Sequence, residues 1–304
     1  MGHARKIAGT CVNIWASRKI TVSLNSVNTN IGAQIALASL NSTNSQLAAT
    51  QKAISTGYRV SDATDDGAAF AVAQRVRSDV GALTSANQQL GNVKGLISTT
   101  VTGLTDVSNQ LSNARNVLVK LADSNTQGDQ RTQYIAQYTS LLANIKSYIQ
   151  DAGYNGKSLI GDITGSNGTF GGVAVIRNEV GATYGIATFS GSAFFSSVNF
   201  TATQLGSASS VAALITAAGT FLNQVSSVGS ALNTYGAASN YVDNQTSYNN
   251  DKIDSLNAGL GSLVDADLAK ESAKLQSLQI RQQLGTQALS IANQAPQSLL
   301  SLFK

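Results

Sequence analysis

Two repeats of apolar residues, one near each end of the chain, constrain the fold more than any other feature. In both, the apolar positions are separated alternately by four and three residues, the spacing of the a and d positions that form the seam of a coiled coil. The N-terminal repeat comprises Ala33, Leu37, Leu40, Leu47 and Ile54, with Asn44 and Gln51 at seam positions. The C-terminal repeat comprises Val264, Leu268, Leu275, Leu278, Leu289 and Ala292, interrupted by Glu271, Gln282 and Gly285.

A long helix that carries one apolar stripe needs a partner along most of its length. The C-terminal repeat lies within residues 256–303 and predicts a helix of about 40 residues, roughly 60 Å long. Such a helix cannot bury its stripe against itself, and the comparable repeat lies at the other end of the chain. We therefore predict that the two terminal helices pair with each other and that Asn44 and Gln282 set their register.

Composition argues against a catalytic domain. Charged residues make up 12% of the chain and aromatic residues 6%, whereas about a quarter of a typical globular protein is charged. The single histidine is His3, so a serine triad or a histidine-rich metal site has no histidine to use in the rest of the chain. The acids at 62–66 lack the alternate spacing of a calcium loop and are interpreted as helix caps. We predict no enzyme activity, no cofactor and no metal.

Residues 1–21 differ from everything that follows. They hold four basic residues and no acid, so the remainder has 20 − 4 = 16 basic and 16 acidic residues and is neutral. We interpret this segment as an atypical basic extension and expect the natural chain to begin near Val22. The neutral remainder argues against nucleic acid as a partner, and the lack of a run of 18 apolar residues predicts no membrane span.

The region between the two repeats divides into helical and strand-like segments. Helical periodicity runs over 68–123 and 134–149, an Asn-Gly pair at 155–156 predicts a tight turn, and short-strand patterns fill 160–200. Helical periodicity returns from Leu205. The predicted fold class is mainly α, a long antiparallel helical bundle and coiled coil from paired N- and C-terminal helices, with a small β-rich central insert.

Five short motifs occur in order along the chain. They span residues 24–30, 54–60 running into 65–69, 154–159, 266–271, and 282–289 continuing to 292–294. In sequence and order these motifs resemble those of the bacterial flagellins, in particular the short flagellins of alphaproteobacteria. The resemblance extends over about 22–159 and about 208–303.

This resemblance implies a structural subunit that self-assembles into the flagellar filament for swimming motility, outside the cell at the bacterial surface. In flagellins the terminal helices pair in the filament core and become ordered on polymerisation, the adjoining helices form a rod, and the middle projects outward. The corresponding segments here are the extension at 1–21, core helices at 22–60 and 261–304, rod halves at 61–155 and 206–260, and a small variable surface domain at 156–205.

The resemblance also implies partners: the chain itself as a helical homopolymer, the flagellar secretion apparatus, an export chaperone, the filament cap and the hook-junction proteins. We expect head-to-tail packing of identical subunits, with terminal ordering offset by burial of the seams. For residues 70–118 we expect packing within one chain. The predicted assembly interface comprises Leu37, Leu40, Leu47, Ile54, Val264, Leu268, Leu275, Leu278, Leu284 and Leu289.

One alternative function remains open at this point. The middle of the chain, Phe170 to Phe200, is rich in aromatic residues and in Asn, Ser and Thr. Exposed aromatic rings can stack on sugars. A flagellin-like adhesin that binds a surface polysaccharide is therefore the alternative hypothesis, and it depends on the exposure of these rings.

Overall fold

The computed structural model describes residues 29–216 and 218–301, with side chains described as far as Gln294. The predicted extension, the start near Val22 and most of the first motif lie outside these residues. The described helices are α1 (Ile31–Thr56), α2 (Gly67–Leu121), α3 (Gly128–Asp151), α4 (Gly191–Val198), α5 (Ala202–Leu205), α6 (Ala208–Ile215), α7 (Thr220–Val264) and α8 (Leu268–Ser301). The predicted mainly α fold is confirmed.

The strands are short and lie in the centre of the chain. They are β1 (Gly153–Tyr154), β2 (Lys157–Ser158), β3 (Thr169–Phe170), β4 (Val173–Ile176) and β5 (Thr183–Ile186). The first two pair antiparallel and β3 joins β2 in parallel, while β4 and β5 form a separate antiparallel hairpin. Asn155 and Gly156 both have positive φ, 49° and 74°, as a tight two-residue hairpin turn requires, so the predicted turn is confirmed.

The chain divides into two compact units, each described here by itself. The terminal unit is formed by the two ends of the chain, up to Asp66 and from Val264. The central unit runs from Gly67 to Leu263.

A heptad repeat in α2 organises the core of the central unit. Buried residues recur at strict seven-residue spacing along two neighbouring rows, which face α3 and the segments packed beside it. The first row is Leu83, Leu90, Ile97, Leu104, Leu111 and Leu118, and the second is Ala86, Val93, Thr100, Val107, Ala114 and Leu121. Most of the apolar residues of 70–118 therefore pack within the chain, as predicted.

The strand prediction for 160–200 is wrong over its last part, where α4 forms. Ser190 starts this helix because its Oγ accepts a hydrogen bond from the Ala193 N–H at 3.2 Å. Phe194 and Val198, four residues apart, are both buried on the inner face of the helix. A stretch of eight residues is too short for helical periodicity to stand out from a strand pattern.

One helical stretch, Ala208–Val264, is long and apolar enough for a membrane helix by length and composition alone. Core helices of water-soluble proteins pass the same test, so a single such stretch is weak evidence for a span. Here Val211, Phe221 and Val228 are buried in the core of the central unit.

Candidate assembly interface

The terminal helices α1 and α8 pack against each other in antiparallel orientation. Asn30 Nδ2 donates to the Ala292 carbonyl at 2.6 Å, and Gln282 Nε2 donates to Asn44 Oδ1 at 2.8 Å. Residue numbers thus rise along one helix as they fall along the other. The predicted pairing of the two ends is confirmed. Asn44 and Gln282 do contact each other across the pair, and their role in setting the register stays a prediction.

The ends of α1 are determined by its caps. Asn30 Oδ1 accepts from the Ala33 N–H at 3.0 Å and caps the start of the helix. Thr29 and Asn30 therefore precede α1, although both lie within the core helix predicted at 22–60. Gly57 closes it with φ 75°, a left-handed conformation that suits glycine, and its N–H donates to the Ala53 carbonyl at 2.9 Å.

The predicted continuous seam over 256–303 is interrupted between α7 and α8. Asp267 Oδ1 accepts from the N–H groups of Ala269 and Lys270 and so caps the start of α8. At the break, the Val264 carbonyl accepts from the Arg59 N–H at 2.7 Å, and its side chain is 1% exposed. Val264 is therefore the buried last residue of α7 rather than a member of one continuous helical seam.

The seam of α8 follows the predicted repeat, including the positions that interrupt its apolar character. Among the residues of α8 up to Gln294, the least exposed are Glu271, Leu275, Leu278, Gln282, Gly285, Leu289 and Ala292. Gly285 suits the close approach of α1, since a Cβ there would lie 3.2 Å from Leu40 Cδ1, nearer than an ordinary van der Waals contact. Polar and small residues at these positions are therefore part of the packed seam.

The seam of α1 differs from the prediction at every second position. Its buried and half-buried residues include Ala33, Ala36, Leu40, Thr43, Leu47, Thr50 and Ile54. Small residues thus replace Leu37, Asn44 and Gln51, which are exposed. Thr50 is 1% exposed, and its Oγ1 has no hydrogen-bond partner among the described residues.

Apart from Val264 at the end of α7, the predicted interface residues fall into two groups. Six lie in the α1–α8 pairing within one chain: Leu40, Leu47, Ile54, Leu275, Leu278 and Leu289. Leu37, Leu268 and Leu284 are 47%, 50% and 58% exposed, which leaves them accessible to a second chain. The role of all ten residues in assembly stays a prediction.

Three further exposed residues of these helices were missed by the sequence reasoning. Ile35, Ile280 and Ile291 are 66%, 58% and 68% exposed. They lie off the seam, and a search for one apolar repeat per helix passes over them. A search for a second repeat on the same helix could have found the two in α8.

An ion-pair network joins α1 to the turn that follows it. Lys52 Nζ lies 2.6 Å from Asp62 Oδ2 and 2.8 Å from Asp65 Oδ2. The hydrogen bond from Lys52 is the largest cause that lowers the pKa of Asp62 to about 2, and it also holds the pKa of Asp65 well below its usual range. These acids thus bind Lys52 and nearby turn groups. Within the described part of the chain, no group of three or more His, Cys, Asp or Glu side chains is placed to hold a metal ion.

Among the aromatic residues of the middle, Phe194 and Phe200 are buried and Phe170, Tyr184, Phe189 and Phe195 are half-buried. Phe194 and Phe200 are 3% and 9% exposed, and the Tyr184 ring stacks on Tyr241 at 4.0 Å between centroids. Tyr138 is fully buried, with its hydroxyl donating to the Val198 carbonyl at 2.5 Å. The exposure on which the polysaccharide hypothesis depended is therefore not found for these rings.

Comparison with known proteins bears directly on these paired terminal helices. The family model for the bacterial flagellin N-terminal helical region matches residues 27–164, and the model for the bacterial flagellin C-terminal helical region matches residues 215–303. The chain belongs to the bacterial flagellin family. The predicted resemblance is thereby confirmed, and this flagellin is a structural filament subunit.

Individual relatives agree with this assignment along most of the chain. Flagellin FljM of Caulobacter vibrioides is 34% identical over 287 residues, which cover 93% of this chain and 100% of the relative. A flagellin of Brucella melitensis is 35% identical over 286 residues, covering 92% of this chain and 99% of the relative. A putative flagellar hook-associated protein from Vibrio parahaemolyticus shares the fold, with a TM-score of 0.52 and 16% identity over 66% of this chain and 100% of that one.

Proposed function

We propose that this flagellin polymerises head to tail into the filament through the surfaces that α1 and α8 leave exposed after they pair. One observation carries the proposal: six large apolar side chains remain exposed on or beside an already formed coiled coil. They are Ile35, Leu37, Leu268, Ile280, Leu284 and Ile291. Fully burying one such side chain contributes about 1.5–3 kcal/mol, so contacts between copies would stabilise the polymer substantially.

The assembly mechanism follows from the geometry of the terminal unit. A surface on one copy that binds a different surface on the next copy adds subunits without closing on itself, and a polymer results. Leu268 is the clearest single candidate, because it lies at a seam position just beyond the end of α1 and is 50% exposed. We expect it to contact a neighbouring subunit.

Export and capping partners belong to the same proposal. By family membership, the subunit passes through the flagellar secretion apparatus with an export chaperone, and adds to the filament outside the cell beneath the cap and beyond the hook-junction proteins. The sequence supports passage of an unfolded chain, since Cys11 is its single cysteine and no disulfide can form within it. The same family membership supports a structural role without enzyme activity.

Seeded polymerisation followed by electron microscopy tests the proposal. Purified full-length chain is added to short filament seeds, beside a chain that begins at Val22. We expect Leu268→Gln to slow elongation and the matched surface change Ser272→Gln to leave it unchanged. Failure of both wild-type chains to elongate seeds, with the central unit folded by circular dichroism, would refute the proposed polymerisation.

A further inference from the structure

A cleft lies between α2 and the β4–β5 hairpin of the central unit. Its volume is about 480 Å³, within the range of about 300–1,000 Å³ that is typical of ligand sites. Buried apolar residues line it, among them Ala86 of α2 and Val175 of β4. Ser85 and Gln89 of α2 also line it and are exposed. The cleft thus combines an apolar interior with polar groups that are open to solvent.

Amide side chains of α7 hold the hairpin in place beside this cleft. Asn249 Nδ2 and Gln245 Nε2 donate to the Arg177 carbonyl at 3.0 and 3.2 Å. The same Asn249 amide donates to Asn87 Oδ1 of α2 at 2.8 Å, and Asn249 is fully buried. Because these bonds connect the hairpin to both long helices, the cleft is formed without any ligand.

The strand edge beside the cleft is unpaired. All four residues of β4 line the cleft, whereas its lining includes no residue of β5. Ala174 lies opposite Gly185 and Ile176 opposite Thr183, and the Arg177 N–H donates across the ladder at 2.8 Å. Bonded and non-bonded pairs alternate in an antiparallel ladder, so the main-chain groups of Ala174 and Ile176 point away from β5. These groups have no hydrogen-bond partner among the described residues.

Strand β4 lacks the features that usually protect such an edge. Its sequence, Val-Ala-Val-Ile, contains no charged residue and no proline, and its register with β5 has no bulge. An unprotected edge pairs with another extended chain through main-chain hydrogen bonds. The outward N–H and C=O groups of β4 therefore favour an extended peptide as the occupant of the cleft.

A carboxylate of the cleft indicates the charge of that peptide. Glu179 lines the cleft at the hairpin turn, three residues beyond Ile176. Its Oε1 lies 2.6 Å from Lys252 Nζ, whereas its Oε2 is buried and accepts no hydrogen bond from any described residue. A buried acceptor without a donor is unfavourable, and a cationic donor satisfies a carboxylate best. The favoured peptide therefore carries a lysine or arginine at the end that lies near the turn.

We infer that the cleft binds an extended peptide segment of another protein as an added strand beside β4. Alternate side chains of this segment enter the cleft, and its lysine or arginine donates to Glu179 Oε2. The inference is independent of the proposed polymerisation, because the cleft lies entirely within the central unit.

Fluorescence anisotropy with labelled synthetic peptides tests this inference on the unassembled full-length chain. One probe alternates valine and threonine over five residues and ends in lysine, and a second begins with lysine, because an added strand can run in either direction. In a control peptide norleucine replaces the lysine. We expect one lysine peptide to bind, and its norleucine control to bind at least about fivefold more weakly. Absence of binding by both lysine peptides up to about 1 mM would overturn the inference.

Proline substitutions isolate the contribution of the strand edge. Ala174→Pro removes an N–H that points away from β5, and proline is tolerated at such edge positions. Thr183→Pro removes the corresponding N–H on the far edge of the hairpin and is the matched control. We expect the first variant to weaken binding at least about tenfold and the second to leave it unchanged, with equal helical content by circular dichroism. Equal binding by the two variants would reject strand addition.

Two further pairs of variants test the cleft and the carboxylate. Gln89→Trp fills the cleft from an exposed position, whereas Gln88→Trp adds the same ring outside it, so only the first should abolish binding. Glu179→Gln should weaken binding of the lysine peptide about tenfold and leave the norleucine peptide unchanged. Asp254→Asn removes a charge at an exposed position of α7 and should change neither. If Asp254→Asn weakens binding as much as Glu179→Gln, the assigned carboxylate is wrong.

Sedimentation velocity of the chain alone distinguishes a peptide from a second copy as the occupant. We expect the unassembled wild type and Gln89→Trp to sediment alike. Self-association of the wild type that Gln89→Trp abolishes would show that another copy of this chain fills the cleft, and the inferred peptide partner would be rejected.

Discussion

Replacing Gly103 with alanine tests how closely α2 and α3 approach. Gly103 is buried in the interior of α2, and a Cβ there would lie 2.9 Å from the Ala152 Cβ and 3.4 Å from the Tyr148 carbonyl oxygen. The Tyr148 oxygen is a backbone atom, and the Ala152 Cβ is bonded directly to the backbone. Neither atom can therefore move without shifting the end of α3. Overpacking of this kind costs about 1–3 kcal/mol.

The opposing term is helix propensity. Alanine in a helix interior is more favourable than glycine by about 1 kcal/mol, so Gly103→Ala should destabilise the chain by up to about 2 kcal/mol. Gly91→Ala is the matched control in the same helix, because nothing lies within 4 Å of a Cβ added there. That change should stabilise the chain by up to about 1 kcal/mol.

Thermal unfolding followed at 222 nm measures the difference. For a unit of this size, each kcal/mol shifts the midpoint by about 2–4 °C, so the two variants should differ by several degrees. Adding Ala152→Gly to Gly103→Ala removes the crowding methyl group and should recover most of the lost stability. The reasoning is refuted if Gly103→Ala is as stabilising as Gly91→Ala, or if the double variant recovers nothing.

Three further changes test single contacts. Thr50→Val removes a buried hydroxyl that has no hydrogen-bond partner among the described residues and should stabilise the terminal unit by about 1 kcal/mol, measured as slower amide exchange in α1; faster exchange would contradict this. Lys52→Ala should raise the pKa of Asp62 from about 2 toward 3.8, measured by carboxyl NMR titration, and an unmoved pKa would contradict the assigned cause. Because the folded pKa is lowered, the stabilisation is present above about pH 4 and is lost as pH falls toward 2, and this dependence should shrink in the variant. Asn249→Ala removes a buried amide that donates to Asn87 Oδ1 at 2.8 Å and should cost about 2–3 kcal/mol in urea unfolding.

Exposed Asn240 provides a control for the last of these changes. Asn240→Ala lies on the same helix at an exposed position, so it should change the free energy of unfolding by less than about 0.5 kcal/mol. If both alanine substitutions changed the free energy of unfolding equally, the hydrogen bonds of the buried Asn249 amide would not stabilise the chain, and the reasoning would be refuted.

The long helices and the pairing of the chain ends could be predicted because apolar periodicity is a local property repeated many times. In α2 the heptad spacing from Leu83 to Leu118 is uninterrupted. In α8 the same spacing continues although Glu271, Gln282 and Gly285 occupy three of its positions. The short helix α4 could not be found in this way, since two buried residues four apart do not establish a period. Its start depends on Ser190 as a cap, a signal common to many turns.

The candidate interface was only partly predictable for a related reason. An apolar repeat marks residues that will be buried, without showing whether the partner belongs to the same chain or to another. Leu278 and Leu284 look alike in the sequence, yet they are 2% and 58% exposed. The difference arises from which side of α8 meets α1.

The sequence by itself determined the family, the positions of the long helices and the antiparallel partnership of the two ends, because each depends on motifs or on spacing along one segment. Only the tertiary structure decided that Thr43 and Thr50, rather than Asn44 and Gln51, lie in the α1 seam. It also decided that the repeat around Val264 breaks into two helices. Both outcomes depend on residues more than two hundred positions away, since the side of a helix that is buried is selected by the shape of the partner it meets.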